Sequence, residues 1–425
     1  MNVFWWRKKK SAESDARQPE EGAVAAKRES IDAATVLLQL LDAGDVGASL
    51  QILDLHLEEI QRQGQEETAC KLIIQAEETL GEGDHPIAVK ALLGNVYQRL
   101  GRGDRRFNLE RALELYRETE ADYGSAGERQ GRAIVLNNMG ATCLELAAYE
   151  RSYYQQAIPY LEEALAFYEE EDEFSYRASI YMILGECYLG LEEPGPDHFE
   201  MARDYCERAW ALFERDQVRD ELAAAQGRLG DVQVALGAFN GEKSLEKAVR
   251  HYRNALSVYV EGDLQERIAH YQRKLAETYI ALSNMESEHL RKGMRAYERA
   301  LEVYEAMGEE GAAADICLEL ARLNLLLEAE NEDLHLAAAV DLYLKALKTF
   351  QKEERQAEQG ITLQALGRIY LRAGEASDPQ DVRQAICCLQ EAGRIYREAD
   401  LRAENQVVRE ELVAVHQLFG DSSTY

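Results

Sequence analysis

The segments YMILGECYLG at residues 181–190 and ARDYCERAWALF at residues 202–213 decide the fold. The first carries Leu184-Gly185-x-x-Tyr188; the second carries Ala202, Ala209 and Phe213. Steps of three, four and seven residues place side chains on one face of an α-helix. Moving outward, the same marks return every 45 or 46 residues. Gly185 is matched by Gly94, Gly140, Gly230, Ala276, Ala321 and Gly367. Ala209 is matched by Thr119, Ala164, Ala255, Ala300, Ala346 and Ala392, and each precedes the next member of the first series by 21 residues where both exist. Phe213 belongs to an aromatic series with Tyr123, Tyr168, Tyr259, Tyr304, Phe350 and Tyr396. A fixed period in this range is the mark of a solenoid, in which each unit buries its apolar face against its neighbours. Small residues let two helix backbones approach, and the aromatic fills the gap towards the next hairpin.

Composition agrees with helix. Proline is scarce, at 6 residues, and Ala, Leu, Glu and Arg dominate. The formal charge of −30, from 78 acidic and 48 basic side chains, repels phosphate backbones and argues against nucleic acid as a partner of the body. The longest apolar runs fall short of the roughly 20 residues that span a bilayer. Seven cysteines without Cys-x-x-Cys spacing read as reduced core thiols of a cytoplasmic protein.

Four regions are expected. Residues 1–28 form a basic-aromatic terminus and a polar tether, and 29–85 an irregular helical cap. Seven repeats fill 86–400, and a closing helix and tail occupy 401–425.

The pair Leu-Gly-x-x-Tyr on one helix and Ala-x-x-x-Tyr on the next, as in Leu93-Gly94-x-x-Tyr97 with Ala112-x-x-x-Tyr116, resembles the tetratricopeptide repeat (TPR). The early tryptophan and closing proline of that family are missing, and each unit is about 11 residues longer than its usual form. The resemblance implies an all-α, right-handed superhelical solenoid of tandem helical hairpins. It also implies a non-enzymatic scaffold or adaptor, with a sensor that changes shape on binding as the alternative. No cofactor or metal is implied.

In this family the first-helix positions three before and one after the small residue face the groove. Carried over, these are Asn95, Asn137, Glu186, Asp231, Arg273, Glu277, Arg322, Gln364 and Arg368, with Arg372 one turn further. Either they form a solvated helix face, or they align a protein or peptide segment, expected to be acidic or carboxylate-bearing because the C-terminal half of the set is basic.

Phe4, Trp5 and Trp6 beside Arg7, Lys8, Lys9 and Lys10 suit an anionic membrane surface, which would place the chain at the inner membrane face. They suit equally a docking motif for another protein or a tail folded back on the first repeat.

His198, His289 and His335 share one repeat position, four residues before the second-helix anchor. Asn108, Tyr153, Ser244 and Asp381 fill it elsewhere, which reads as a helix N-cap series and not as a metal site. Ser244-x-x-Lys247 lacks partner motifs for acyl transfer.

Overall fold

The computed structural model describes residues 46–62, 71, 73–76, 78, 86–101, 103–283, 287–327, 332–374 and 379–419. Residues 1–10 lie outside this set. Every regular element among the described residues is an α-helix. The chain forms two compact units, Met1–Ala235 and Leu236–Tyr425.

The first unit holds α1 (Val46–Arg62), α2 (Ile87–Arg99), α3 (Arg105–Ala126), α4 (Arg129–Leu146), α5 (Ser152–Glu170), α6 (Phe174–Gly190) and α7 (Pro196–Arg215), then most of α8 (Arg219–Asn240). The second holds α9 (Glu242–Glu261), α10 (Gln265–Leu282), α11 (Ser287–Met307), α12 (Glu310–Leu327), α13 (Glu332–Lys352), α14 (Gln356–Gly374), α15 (Pro379–Glu398) and α16 (Arg402–Phe419). Within each unit consecutive helices pack on one another, α2 on α3 and α3 on α4, α13 on α14 and α14 on α15. The fold is all-α and built of tandem hairpins. From α2 on, even-numbered helices come first in each hairpin and odd-numbered ones second.

The small residues sit where the two helices of a hairpin touch. A methyl group on Gly94 would lie 2.6 Å from the Tyr116 ring, and one on Gly185 would lie 2.6 Å from Cys206 Sγ. The α10–α11 hairpin reverses the roles. Ala276 stands on the first helix, and the glycine is Gly293 on the second, 3.2 Å from the Ala276 carbonyl once a methyl is added. All seven members of the second series are fully buried.

The aromatic series reaches the next hairpin, as expected. Tyr168 stacks on Tyr176 with centroids 4.5 Å apart, Tyr259 stacks on Tyr271, and Tyr123 lies over the backbone of Gly131. Tyr304 alone in this series is only half-buried.

The turn between hairpins is equally periodic. Gly127, Asp172, Gln217, Asp263, Gly308, Glu354 and Asp400 all have φ between 52° and 77°. The next residue's N–H donates to the carbonyl of the aromatic, from Glu128 N to Tyr123 O at 3.0 Å through Leu401 N to Tyr396 O at 2.8 Å. This is the Schellman closure, in which one left-handed residue ends a helix and satisfies its last carbonyls.

Second helices begin about a turn earlier than the spacing predicts. Asp104 caps α3, with Oδ1 accepting from Phe107 N–H at 3.2 Å, so Asn108 lies inside the helix. His198, Ser244, His289, His335 and Asp381 likewise sit in the first turn and not at the cap. The extra residues between the helices lengthen the second helix backwards.

Candidate functional site

Counting from the small residue of each first helix, one contact recurs. The residue one after it meets the residue two before its counterpart on the next first helix. Asn138 Nδ2 donates to Asn95 Oδ1 at 3.0 Å. Arg228 bonds Glu186. Arg368 Nε donates to Glu411 Oε1 at 2.8 Å, with Glu411 two before Val413 on α16. Each observed step therefore joins a donor to an acceptor and staples neighbouring hairpins.

The buried second-helix tyrosine lies beneath this face. Tyr116 OH bonds Asn95 Oδ1 at 2.7 Å and Gln98 Oε1 at 3.1 Å. Gln98 continues to Glu145, which binds Arg105. Arg99 closes on Asp54 of α1 at 2.7 Å. Burial first, then the carboxylates of Asp54 and Glu145, hold the Tyr116 phenol well above its usual range. The amide and hydroxyl groups of α2 are thus engaged by their own chain.

Asn137 differs. It is 2% exposed, and its Oδ1 has no hydrogen-bond partner among the described residues. An unpaired buried amide oxygen costs about 1–3 kcal/mol. Ile134, Ala141, Leu144, Met182 and Leu189 share this part of the repeat and are partly or largely exposed. They make an apolar strip that a reading restricted to polar residues passes over.

The expected basic half is occupied by glutamates. Arg273 Nε lies 3.5 Å from Glu277, Arg322 Nη1 2.7 Å from Glu319, and Arg368 bonds Glu411, which also accepts from Gln364 at 3.0 Å. Asp231 lies 3.6 Å from Arg228, and Arg372 is exposed. The structure thus brings Asn95 and Gln364 into hydrogen-bonded sets, Glu186, Asp231, Arg273, Glu277, Arg322 and Arg368 into ion pairs, and leaves Asn137 apart. Asn138, Arg228, Glu319 and Glu411 were missed in the sequence, although the position two before the small residue repeats as regularly as the others.

Two of the three histidines stack on the residue three after the small one. Tyr188 and His198 centroids lie 6.2 Å apart, and Tyr279 and His289 6.5 Å. His335 Nδ1 meets Asn324 Oδ1 at 2.9 Å. They clasp the open end of each hairpin.

The arrangement compares with known proteins as follows. A STAND protein with a tetratricopeptide repeat sensor from Pyrococcus horikoshii superimposes with a TM-score of 0.60 at 14% identity, over 90% of this chain and 52% of that one. The chain has the TPR fold. It spans about half the length of that relative. The quorum sensor NprR from B. thuringiensis aligns at 15% identity over 89% of this chain and 94% of that one, with a TM-score of 0.48. A Rap protein crystallised with competence and sporulation factor aligns at 11% identity over 88% and 98%, with a TM-score of 0.46. The family model for the soluble NSF attachment protein, SNAP, matches residues 235–338 of the array. No curated protein matches the sequence. Among the described residues of this TPR array, no helix is long and apolar enough to cross a membrane.

Proposed function

We propose that this chain is a non-enzymatic TPR scaffold or adaptor that holds a protein segment along the face of its first helices. One observation carries the reading: Asn137 is an almost wholly buried amide without a partner, on a face where other amides are bonded. A peptide main chain offers both a donor and an acceptor to such a group, and the neighbouring apolar strip accepts its side chains. Asn137→Ala then discriminates. The variant keeps or gains thermal stability, because an unpaired group is removed, and captures less partner in a pull-down from the native cell. Lower stability with unchanged capture would mean the amide serves the fold alone.

The expected acidic character of the segment rests on Arg273, Arg322, Arg368 and Arg372. The first three already bond glutamates, so an acidic ligand exchanges one carboxylate for another. Reversing Arg322 and Arg368 to Glu tests the sign. An acidic segment loses about tenfold in affinity, roughly 1.4 kcal/mol, and a basic one gains. The tail reading, peripheral attachment through Phe4 to Lys10, stands beside this as a separate proposal. A sensor is the alternative, because the donor–acceptor staples between hairpins are contacts that an occupying segment can compete for.

A further inference from the structure

The face of α4 and α6 combines an apolar strip with one buried acceptor that no donor of the described residues reaches. Asn137 lies three residues after Ile134 and seven before Leu144, on one side of α4. Met182 and Leu189 of α6 continue the strip, and all four apolar side chains are partly or largely exposed. Asn137 itself is 2% exposed, and its Oδ1 has no hydrogen-bond partner among the described residues. Such a place lacks a large apolar group that carries a donor and no acceptor. Among neutral side chains tryptophan answers to that description, since its ring buries about 200 Å² and offers one N–H.

The chain has three tryptophans, and two of them are Trp5 and Trp6. They follow Phe4 and precede Arg7, Lys8, Lys9 and Lys10, all outside the described residues. The basic run discriminates between the two units. Acidic side chains outnumber basic ones by about two to one in residues 46–235, and by about three to two in 236–425. Beside the strip, Glu186 and Asp231 hold the position one after the small residue and share the single guanidinium of Arg228. Glu277, Arg322 and Arg368 hold it in the second unit. Reach is ample. The 35 residues between Lys10 and Val46 span up to ~120 Å, and α4 lies one hairpin, roughly 20 Å or less, from the α2 helix on which α1 packs.

We infer that the N-terminal segment Phe4–Lys10 docks on this strip of its own chain, one of its two indoles donating to Asn137 Oδ1 and its basic run lying towards Glu186 and Asp231. It takes the place proposed above for a partner segment, and so acts as a built-in competitor. Joined to the site, it is present at an effective concentration of about 1 mM; a modest affinity keeps the face closed until a tighter ligand displaces it. This rests on the reading of the first-helix face as a binding surface, and names one occupant of it with its anchoring side chain.

The test reads the tail in cis and in trans. In cis, Trp210→Phe leaves Trp5 and Trp6 as the only tryptophans of the full chain. Their emission should be blue-shifted, and acrylamide should quench it at least threefold more slowly than in a free peptide of residues 1–10. Met182→Lys with Leu189→Lys should restore the values of the free peptide; Leu325→Lys with Leu371→Lys, on first helices of the second unit, should not. Circular dichroism melting checks the fold. Should Trp210→Phe fail to fold, the difference between the natural chain and its 1–10 deletion gives the same reading. In trans, the labelled peptide is titrated into the chain lacking residues 1–10 and read by anisotropy. Replacing both peptide tryptophans by Phe keeps the rings and removes the N–H. That should weaken binding about fivefold to the natural Asn137 chain and less than twofold to Asn137→Ala.

Equal losses against both proteins would overturn the contact with Asn137. Free-peptide emission in the full chain, with no binding in trans, would overturn the docking. So would shielding that appears only with phosphatidylserine vesicles, which assigns the tail to a membrane, or that grows with protein concentration, which assigns it to a second copy. Deleting residues 1–10 should raise native-partner capture at least threefold, and unchanged capture would overturn the competitor role. If capture by the deleted chain still depends on Asn137 while the tail measurements fail, the scaffold stands and only the self-docking falls. If Asn137 affects neither peptide nor partner, the first-helix face itself is refuted.

Discussion

Gly185 gives the sharpest test of how these hairpins are packed. A methyl there would lie 2.6 Å from Cys206 Sγ and 3.3 Å from the Ala202 carbonyl oxygen. Ordinary contact begins near ~3.5 Å, so the sulfur must move by about 1 Å or rotate. Cys206 and Ala202 are fully buried, the carbonyl belongs to the α7 backbone, and helices disfavour one of the three χ1 wells. Against this, alanine in a helix interior is favoured over glycine by about 1 kcal/mol. Gly185→Ala should therefore come out destabilising by roughly 1 kcal/mol net, and Gly185→Leu by about 3 kcal/mol, at the top of the usual overpacking range. For a unit of this size each kcal/mol lowers the melting midpoint by ~2–4 °C, which gives a drop of ~2–4 °C for alanine and ~6–12 °C for leucine.

The assay is thermal unfolding by far-ultraviolet circular dichroism, with Cys206→Ala introduced into each background. Removing the sulfur relieves the close contact, so the Gly185→Ala, Cys206→Ala double variant should be more stable than the sum of the singles by about 1–2 kcal/mol, a coupling expected only for residues in contact. Strictly additive effects would refute the argument. So would a Gly185→Leu protein that melts within 1 °C of the parent.

Other consequences are quicker to check. Glu354 has φ 56° in the turn after α13, and a left-handed residue with a Cβ costs about 1–2 kcal/mol; Glu354→Gly should raise the melting midpoint of the second unit, and no rise would mean its side chain compensates. Burial, with Glu162 near Tyr188 and Glu404 near Tyr396, pushes both phenols up to about 12. A folded value above the unfolded ~10 means their contribution is complete below pH 10 and lost as pH rises through the folded values, so absorbance at 295 nm should show a cooperative step between pH 10 and 12; gradual titration starting at pH 9 would contradict this. Burial raises the thiols of Cys143 and Cys206 to about 12, while Cys387 is exposed; iodoacetamide at pH 8 should label Cys387 first and the buried pair only on unfolding, because the thiolate is the nucleophile. Deleting residues 1–10 should abolish co-sedimentation with phosphatidylserine vesicles without loss of helix, and full-length protein that stays in the supernatant at low salt removes the anchor.

The fold was legible because its determinants are local and repeated. One small residue per helix, one aromatic per turn and a constant 21-residue step admit few structures other than stacked hairpins. What escaped was the left-handed turn residue. Gly127 and Gly308 announce it, but Asp172, Gln217, Asp263, Glu354 and Asp400 do not; the geometry there is imposed by the closing hydrogen bond to the aromatic's carbonyl, and the side chain does not signal it. Helix starts were misplaced by a turn for a similar reason, since Asp104 caps α3 through its own local geometry while Asn108 merely occupies the conspicuous repeat position.

The candidate face was half legible. Positions could be counted from the glycines, and the arginines among them suggested a basic strip; the sequence could not show that Glu411 comes from the next hairpin to meet Arg368. Pairing depends on which residues a helix of given pitch sets opposite each other, and the pairs that matter lie 42–47 residues apart. Once that register is known, it turns composition into prediction. A donor facing an acceptor closes a staple, as with Asn138 and Asn95, and the chain needs nothing more there. Asn137 is different, nearly buried and with an Oδ1 that has no hydrogen-bond partner among the described residues. On a first-helix face where Asn95, Asn138 and Gln364 are hydrogen-bonded, that amide is where a partner's main chain would have a bond to contribute.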